Sequence, residues 1–243
     1  NINDPNHFRR TYQQVRRILL DHSMIIFDKG ANDRKNLTSI ELDHNDHLTS
    51  KKLNACDDKV FQTFDANVWE RIDAADGVYA LKRTFPSRVN YYFFSERLKS
   101  EHLASRRRKA ERLLAEARAI QESLDQGKRL PKRFRINNPL VDVRYEYQTK
   151  LAAMDEEAAL RLLFNEVVDG REGCFCLTSS RDMTAADALK IYRSKDAVEK
   201  LFHSLKSEVE VRPLRVWSED AVYGVLLLGF IAQLMISLTR HFV

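Results

Sequence analysis

The chain is poor in the residues that bend and break polypeptides: its 243 residues include 7 Gly and 5 Pro. That scarcity excludes collagenous and Gly/Pro-rich disordered classes and favours long helices with few tight turns. Cysteine is scarcer still. Cys56, Cys174 and Cys176 are too few and too unevenly spaced for a disulfide framework. Cys174 and Cys176 alternate along an apparent strand and would face one side, but no two further ligands stand near them to complete a zinc site. Small buried thiols are expected instead. No Gly-rich phosphate loop occurs, and Thr178-Ser179-Ser180 lacks the glycines of a nucleophile elbow, so no catalysis is assigned to it. Asp43-His44-Asn45-Asp46-His47 carries metal-capable side chains without a catalytic spacing and reads as a polar turn. The first residue is Asn1 rather than Met, and no signal peptide precedes it. The chain is therefore expected to begin inside something longer.

What is present is the composition of a globular protein, 44% apolar and 31% charged, with a net charge of +5. The basic character is local. Between Arg97 and Arg135 there are 13 Lys or Arg against 5 Asp or Glu, a surplus larger than that of the whole chain. Arg106-Arg107-Arg108-Lys109, with Lys128-Arg129 and Lys132-Arg133-Phe134-Arg135, has the density needed to neutralise several phosphates. The same pattern also fits a solvated helix face with ion pairs involving Glu111 and Arg118.

Hydrophobic patterning predicts a helix over 5–20 with Asp4 as N-cap and Pro5 at its first position. A buried parallel strand over Ser23 to Asp28 follows, ending on a carboxylate. Lys29-Gly30 supplies a turn, and Asp33 to Leu42 a second helix. A different pattern follows from about Asp43 to Gly170. It contains short strands near Gly77 to Lys82 and Val89 to Ser95, then a long charged helix from about Glu96 to Gln126. That helix has an apolar stripe of Leu113, Ala117, Ile120 and Leu124. Gly173 to Thr178 reads as another buried strand, and Thr184 as the cap of a helix running to about Val209. Ala221 to Thr239 is almost wholly apolar and long enough to span a bilayer. A membrane anchor is the competing reading there; burial in the core of a large domain is the one expected, with no membrane partner.

On a wheel at about 100° per residue, Ile191, Val198, Leu201, Phe202, Leu205 and Val209 fall within an arc of roughly 100° that should pack on a sheet. Tyr192, Lys195, Glu199, His203 and Lys206 fall within an adjacent arc of roughly 80°. By geometry alone this reads as the polar flank of an amphipathic helix, with Lys195 and Glu199 an ordinary ion pair.

The spacing adds to that reading. Tyr192, Lys195, Glu199 and Lys206, followed by Val211-Arg212-Pro213-Leu214, resemble the Tyr-Arg-Glu-Lys signature of the DDE transposases of insertion sequences (the IS-four superfamily). Phe27-Asp28-Lys29-Gly30 with Asn36-Leu37 is similar to that family's second-aspartate strand and following helix, and Asn1-Ile2-Asn3-Asp4 to the segment leading into it. The likeness covers both ends of the chain well and the middle loosely. Lys195 stands where the signature has Arg, which keeps the charge but gives up bidentate phosphate contact.

The resemblance implies an α/β protein with a partial ribonuclease H-like core, its first strands missing, and a large α+β insertion between the second Asp and the Glu. The expected domains are 1–45 (core), 46–168 (insertion with the basic helix) and 169–243 (core continuation). Asp28 and Glu199 would be catalytic and would bind two Mg2+ or Mn2+ ions. Tyr192, Lys195, Lys206, Arg106, Arg107, Arg108 and Lys109 would contact DNA, both transposon ends and target, in a homodimer located in a prokaryotic cytoplasm. Trp69 and Tyr91 are aromatic candidates for stacking on an unpaired base, with core packing expected first. A first aspartate is expected upstream of Asn1. Taken alone, the chain is thus expected to be inactive and poorly stable, with an unpaired edge at residues 23–28. A non-catalytic DNA-binding remnant of a transposase is the alternative.

Overall fold

The computed structural model describes residues 4–128, 150–207 and 218–242, with the side chains of 197–199, 201–202, 204–207, 219, 237 and 240–242 outside the description. In chain order the elements are α1 (Asp4–Val15), β1 (Met24–Phe27), α2 (Arg34–Leu42), β2 (Asp46–Ser50), α3 (Ala55–Gln62), β3 (Glu70–Asp73), β4 (Val78–Phe85) and β5 (Arg88–Ser95). There follow α4 (Glu96–Asp125), α5 (Glu156–Val167), β6 (Cys174–Ser179), α6 (Ala185–Ser207) and α7 (Glu219–Phe242). The chain is mixed α/β. It divides into two compact units, one built from Asn1–Ser50 with Ser179–Val243, the other from Lys51–Thr178.

In the first unit β1 and β2 run parallel, with Met24 opposite Asp46 and Phe27 opposite Thr49. Helices α1 and α2 cover them through a small aromatic core. Phe8 stacks on Tyr12 one helical turn away and tilts onto Phe27 at 4.6 Å, while Ile40 of α2 is fully buried beside them. The Asp33 carboxylate caps α2 by accepting from the Asn36 amide at 2.7 Å. Thr184 caps α6, its Oγ1 accepting from the Asp187 amide at 3.0 Å. Ser180 locks onto β2 reciprocally: its amide donates to the His47 carbonyl and its hydroxyl accepts from the His47 amide.

Three expectations for this unit need correction. Helix α1 ends at Val15 rather than near residue 20, because Ile18 and Leu20 find no apolar partner and the chain turns there toward β1. The polar segment 43–47 is a turn only as far as Asn45; Asp46 and His47 open β2, a strand the patterning did not reveal. The largest correction concerns α7. It forms over the expected residues and packs against α6, but it is not a core helix. Tyr223, Leu226, Leu227, Leu228, Phe230, Ile231, Leu234, Met235 and Leu238 are 45–68% exposed and spread over an arc of roughly 200°. Its opposite side, around Gly229 and Gln233, is the buried one. Among the described residues no helix is long and apolar enough to cross a membrane.

The second unit holds strands in the order β6-β5-β4-β3. β4 and β5 form a hairpin in which Phe85 faces Arg88, leaving Pro86-Ser87 as its two-residue loop. The Ser95 hydroxyl accepts from the Leu98 amide and starts α4 directly from β5. Ala110, Leu113, Leu114, Ala117 and Ile120 of α4 bury against Ala159, Leu163 and Val167 of α5. A second core gathers Val60, Trp69, Tyr92 and Cys176, with Phe61, Phe64, Tyr79 and Phe94 packed on it. Trp69 and Tyr91 are 3% and 0% exposed, so both are core residues and present no face for a base. Cys176 is buried and Cys174 half-buried, but Cys56 is exposed, against the expectation of buried thiols throughout.

Candidate catalytic site

Asp28 directly follows β1, and Ser50 closes β2. Because the two strands are parallel and in register, their carboxyl ends lie side by side. The turn after β1 is tied to the end of β2 by Asn32, whose Nδ2 donates to the Ser50 carbonyl at 3.0 Å. The Asp28 carboxylate caps the short 3-10 turn at 29–31, its Oδ1 accepting from the Lys29 amide at 2.8 Å. Helix α6 packs on β1 and β2 and brings Tyr192 to this end.

The phenol of Tyr192 donates to Asp28 Oδ1 at 3.2 Å, although 164 positions separate the two residues in sequence. Burial pushes the Tyr192 pKa up to about 12, and the Asp28 charge adds to the shift. Lys195 and a hydrogen bond from Ser50 oppose it. The phenol therefore stays neutral and serves as a proton donor to the carboxylate. Lys195 Nζ lies 5.2 Å from the Tyr192 ring centroid and 3.8 Å from the Asp196 carboxylate. A carboxylate, a neutral phenol and an ammonium thus share one strand-end locality. This set can hold a phosphate through Lys195 and Tyr192 and offers a hard oxygen donor through Asp28.

Of the residues picked from sequence, Asp28, Tyr192 and Lys195 are brought together. Glu199 and Lys206 lie in α6 by backbone, but their side chains are outside the described residues. Among the described residues no three His, Cys, Asp or Glu side chains converge. Asp28 suits Mg2+ or Mn2+ in donor chemistry but by itself does not complete a metal site. Ser50 and Asn32 were missed. Their signal lay in the parallel register, which is readable only once β2 is known.

The basic run belongs to the second unit and proves unequal. Arg106 lies on the packed side of α4 and pairs with Asp169 at 3.2 Å and the buried Glu172 at 3.5 Å. Arg107 pairs with Glu111 at 3.3 Å. For Arg108 and Lys109 no ion pair occurs among the described residues, and both are exposed.

His47 on β2 is the other unusual titratable group of the first unit. Its ring is 2% exposed, Nδ1 stands 3.6 Å from Glu41, and burial drives its pKa down to about 4. It is a neutral core residue rather than a ligand. Compared with the models of known families, with curated proteins and with solved structures, the chain matches none.

Proposed function

We propose that this chain carries the second-aspartate and glutamate segments of a DDE transposase, on a ribonuclease H-like core interrupted by an insertion that includes the basic helix. The reaction is cleavage at transposon ends followed by attack of the freed 3'-hydroxyl on target DNA. One observation carries the reading. Phe27-Asp28-Lys29-Gly30 and the Tyr192 to Lys206 segment were singled out separately in the sequence, and their Asp28 and Tyr192 side chains are in hydrogen-bond contact.

In this reading Tyr192 and Lys195, with Lys206 further along α6, grip the phosphates flanking the scissile bond. Tyr192 positions the Asp28 carboxylate, and Asp28 and Glu199 are the carboxylates assigned to two Mg2+ or Mn2+ ions. When bound, such ions supply Lewis acidity for an in-line phosphoryl displacement. A third carboxylate is assigned to no residue of this chain, so the polypeptide on its own is read as inactive. Double-stranded DNA, a second copy of the chain and a prokaryotic cytoplasm complete the proposal.

The test is fluorescence anisotropy with a double-stranded oligonucleotide across a salt series, with and without Mn2+. The expected result is salt-dependent binding that Lys195→Ala weakens, with the logarithmic salt slope reduced by about one. Mn2+ is expected to tighten binding in the parent but not in Asp28→Asn. Absence of salt-dependent binding, or parent-like behaviour of both variants, overturns the reading.

A further inference from the structure

Helix α7 packs on its small and polar side and leaves its apolar side open. Gly229 and Gln233 lie on the packed side, while nine large apolar residues between Tyr223 and Leu238 stand 45–68% exposed. A Cβ on Gly224 would meet no atom within 4 Å, so the open side reaches back into the first turns of the helix. No charged residue interrupts Ala221 to Thr239. The exposed surface of the nine residues is on the order of 1,000 Å². The largest apolar patch of a typical monomer is about 300–600 Å², and a stable homodimer covers about 800 Å² on each protomer. This face is larger than a monomer ordinarily shows and large enough to be one protomer's share of a dimer.

The order of the exposed residues points to a second copy as the cover. Reversing the helix about the midpoint between Phe230 and Ile231 exchanges Tyr223 with Leu238, Leu226 with Met235, Leu227 with Leu234, and Phe230 with Ile231. Every exposed large apolar residue of α7 except Leu228 is thereby carried onto another. A face that maps onto itself in this way is self-complementary under a two-fold axis, which is the requirement of an isologous interface. The helix ends agree with it. Glu219 and Asp220 open α7, and Arg240 and His241 stand in its last turn. The reversal sets acidic ends against basic ones and opposes the two helix dipoles, whereas a parallel pairing would bring like ends together. A lipid surface fits less well. A helix lying on one carries Lys or Arg along its polar flanks, and residues 221–239 supply neither.

We propose that α7 pairs antiparallel with α7 of a second copy, about a two-fold axis at Phe230 and Ile231, and that this dimer forms without DNA. Leu227 of each protomer then meets the partner's Leu234. The pairing gives the second copy a defined surface and does not rest on the DNA chemistry of the Asp28 site.

The test is sedimentation velocity of the full chain over a concentration series, in buffer free of DNA and divalent metal. A reversible monomer–dimer equilibrium is expected. Leu227→Lys is expected to weaken dimerisation at least about tenfold, because each protomer then sets an ammonium against an apolar partner. Leu234→Glu added to the same chain is expected to restore most of the loss, since positions 227 and 234 face each other only in the antiparallel register. Both residues are exposed in the single chain, so the variants keep the fold, which circular dichroism checks. A monomer at every concentration, open-ended aggregates, a dimer indifferent to Leu227→Lys, or absence of rescue by Leu234→Glu overturns the proposal. Binding of the monomer to phosphatidylcholine–phosphatidylglycerol vesicles in place of dimerisation also overturns it. Failure of salt-dependent DNA binding is read in a separate assay and bears on the Asp28 site alone.

Discussion

Two buried polar side chains show how differently the fold treats charge. His47 has neither ring nitrogen hydrogen-bonded among the described residues, and burial holds its pKa near 4, far below the ordinary 6.5. The unfolded chain therefore takes up a proton between pH 6.5 and 4 that the folded chain refuses. Stability is full above pH 6.5 and declines as pH falls through that window, by on the order of 3 kcal/mol if His47 acts alone. Urea unfolding at stepped pH should show the decline, and His47→Leu should flatten it. Asp57 is the opposite case, 1% exposed yet fully partnered. It accepts from Lys51 Nζ at 2.8 Å or closer, from the Tyr92 hydroxyl at 3.0 Å and from the Asn54 amide at 2.9 Å. Asp57→Ala strips Lys51 and Tyr92 of their acceptor and opens the cap of α3. A loss of roughly 3–5 kcal/mol, read as a lower urea midpoint with unchanged slope, is the expected outcome.

At the scale of elements, α4 divides its cations by face. Arg108 and Lys109 are exposed and have no ion pair among the described residues, whereas Arg106 holds the buried Glu172. If α4 binds DNA, Arg108→Ala and Lys109→Ala should each lower the logarithmic salt slope by about one with no change in melting. Arg106→Ala should instead cost about 1–2 kcal/mol of stability, seen in thermal unfolding. The bounds of α4 were legible to one residue, because Ser95 is an effective cap and Leu113, Ala117 and Ile120 keep strict helical spacing. β2 was illegible for the converse reason: Asp46, His47, Thr49 and Ser50 surround a single Leu48, so no alternation stands out. With β2 hidden, Ser50 and Asn32 could not be placed beside Asp28, although Asp28 and Tyr192 were both marked by their motifs. The apolar content of α7 was equally plain, but composition does not tell a helix buried all round from one whose apolar side faces solvent. Only the placement of Gly229 and Gln233 on the packed side decides that.

At the scale of the whole molecule, the second unit is one continuous stretch and the first is assembled from two separated ones. The continuous unit encloses both the α4–α5 core and the aromatic core around Trp69. A polypeptide of residues 51–178 is therefore expected to unfold cooperatively in urea, whereas residues 1–50 alone should show no transition; a non-cooperative 51–178 would refute this. The discontinuity also bears on how the protein is made. β1, β2 and Asp28 emerge early, but Ser180, Arg181 and Tyr192, which fasten onto them, follow only after about 130 further residues. At about 5–20 residues per second, that interval lasts roughly 6–25 s. For that time the nascent strand pair waits on the ribosome without the hydrogen bonds of Ser180, Arg181 and Tyr192. Prior folding of residues 51–178 would shorten the loop that must close and reduce its entropic cost. The order of synthesis thus makes the middle of the chain the natural first step, and the joining of Asp28 to Tyr192 a later one.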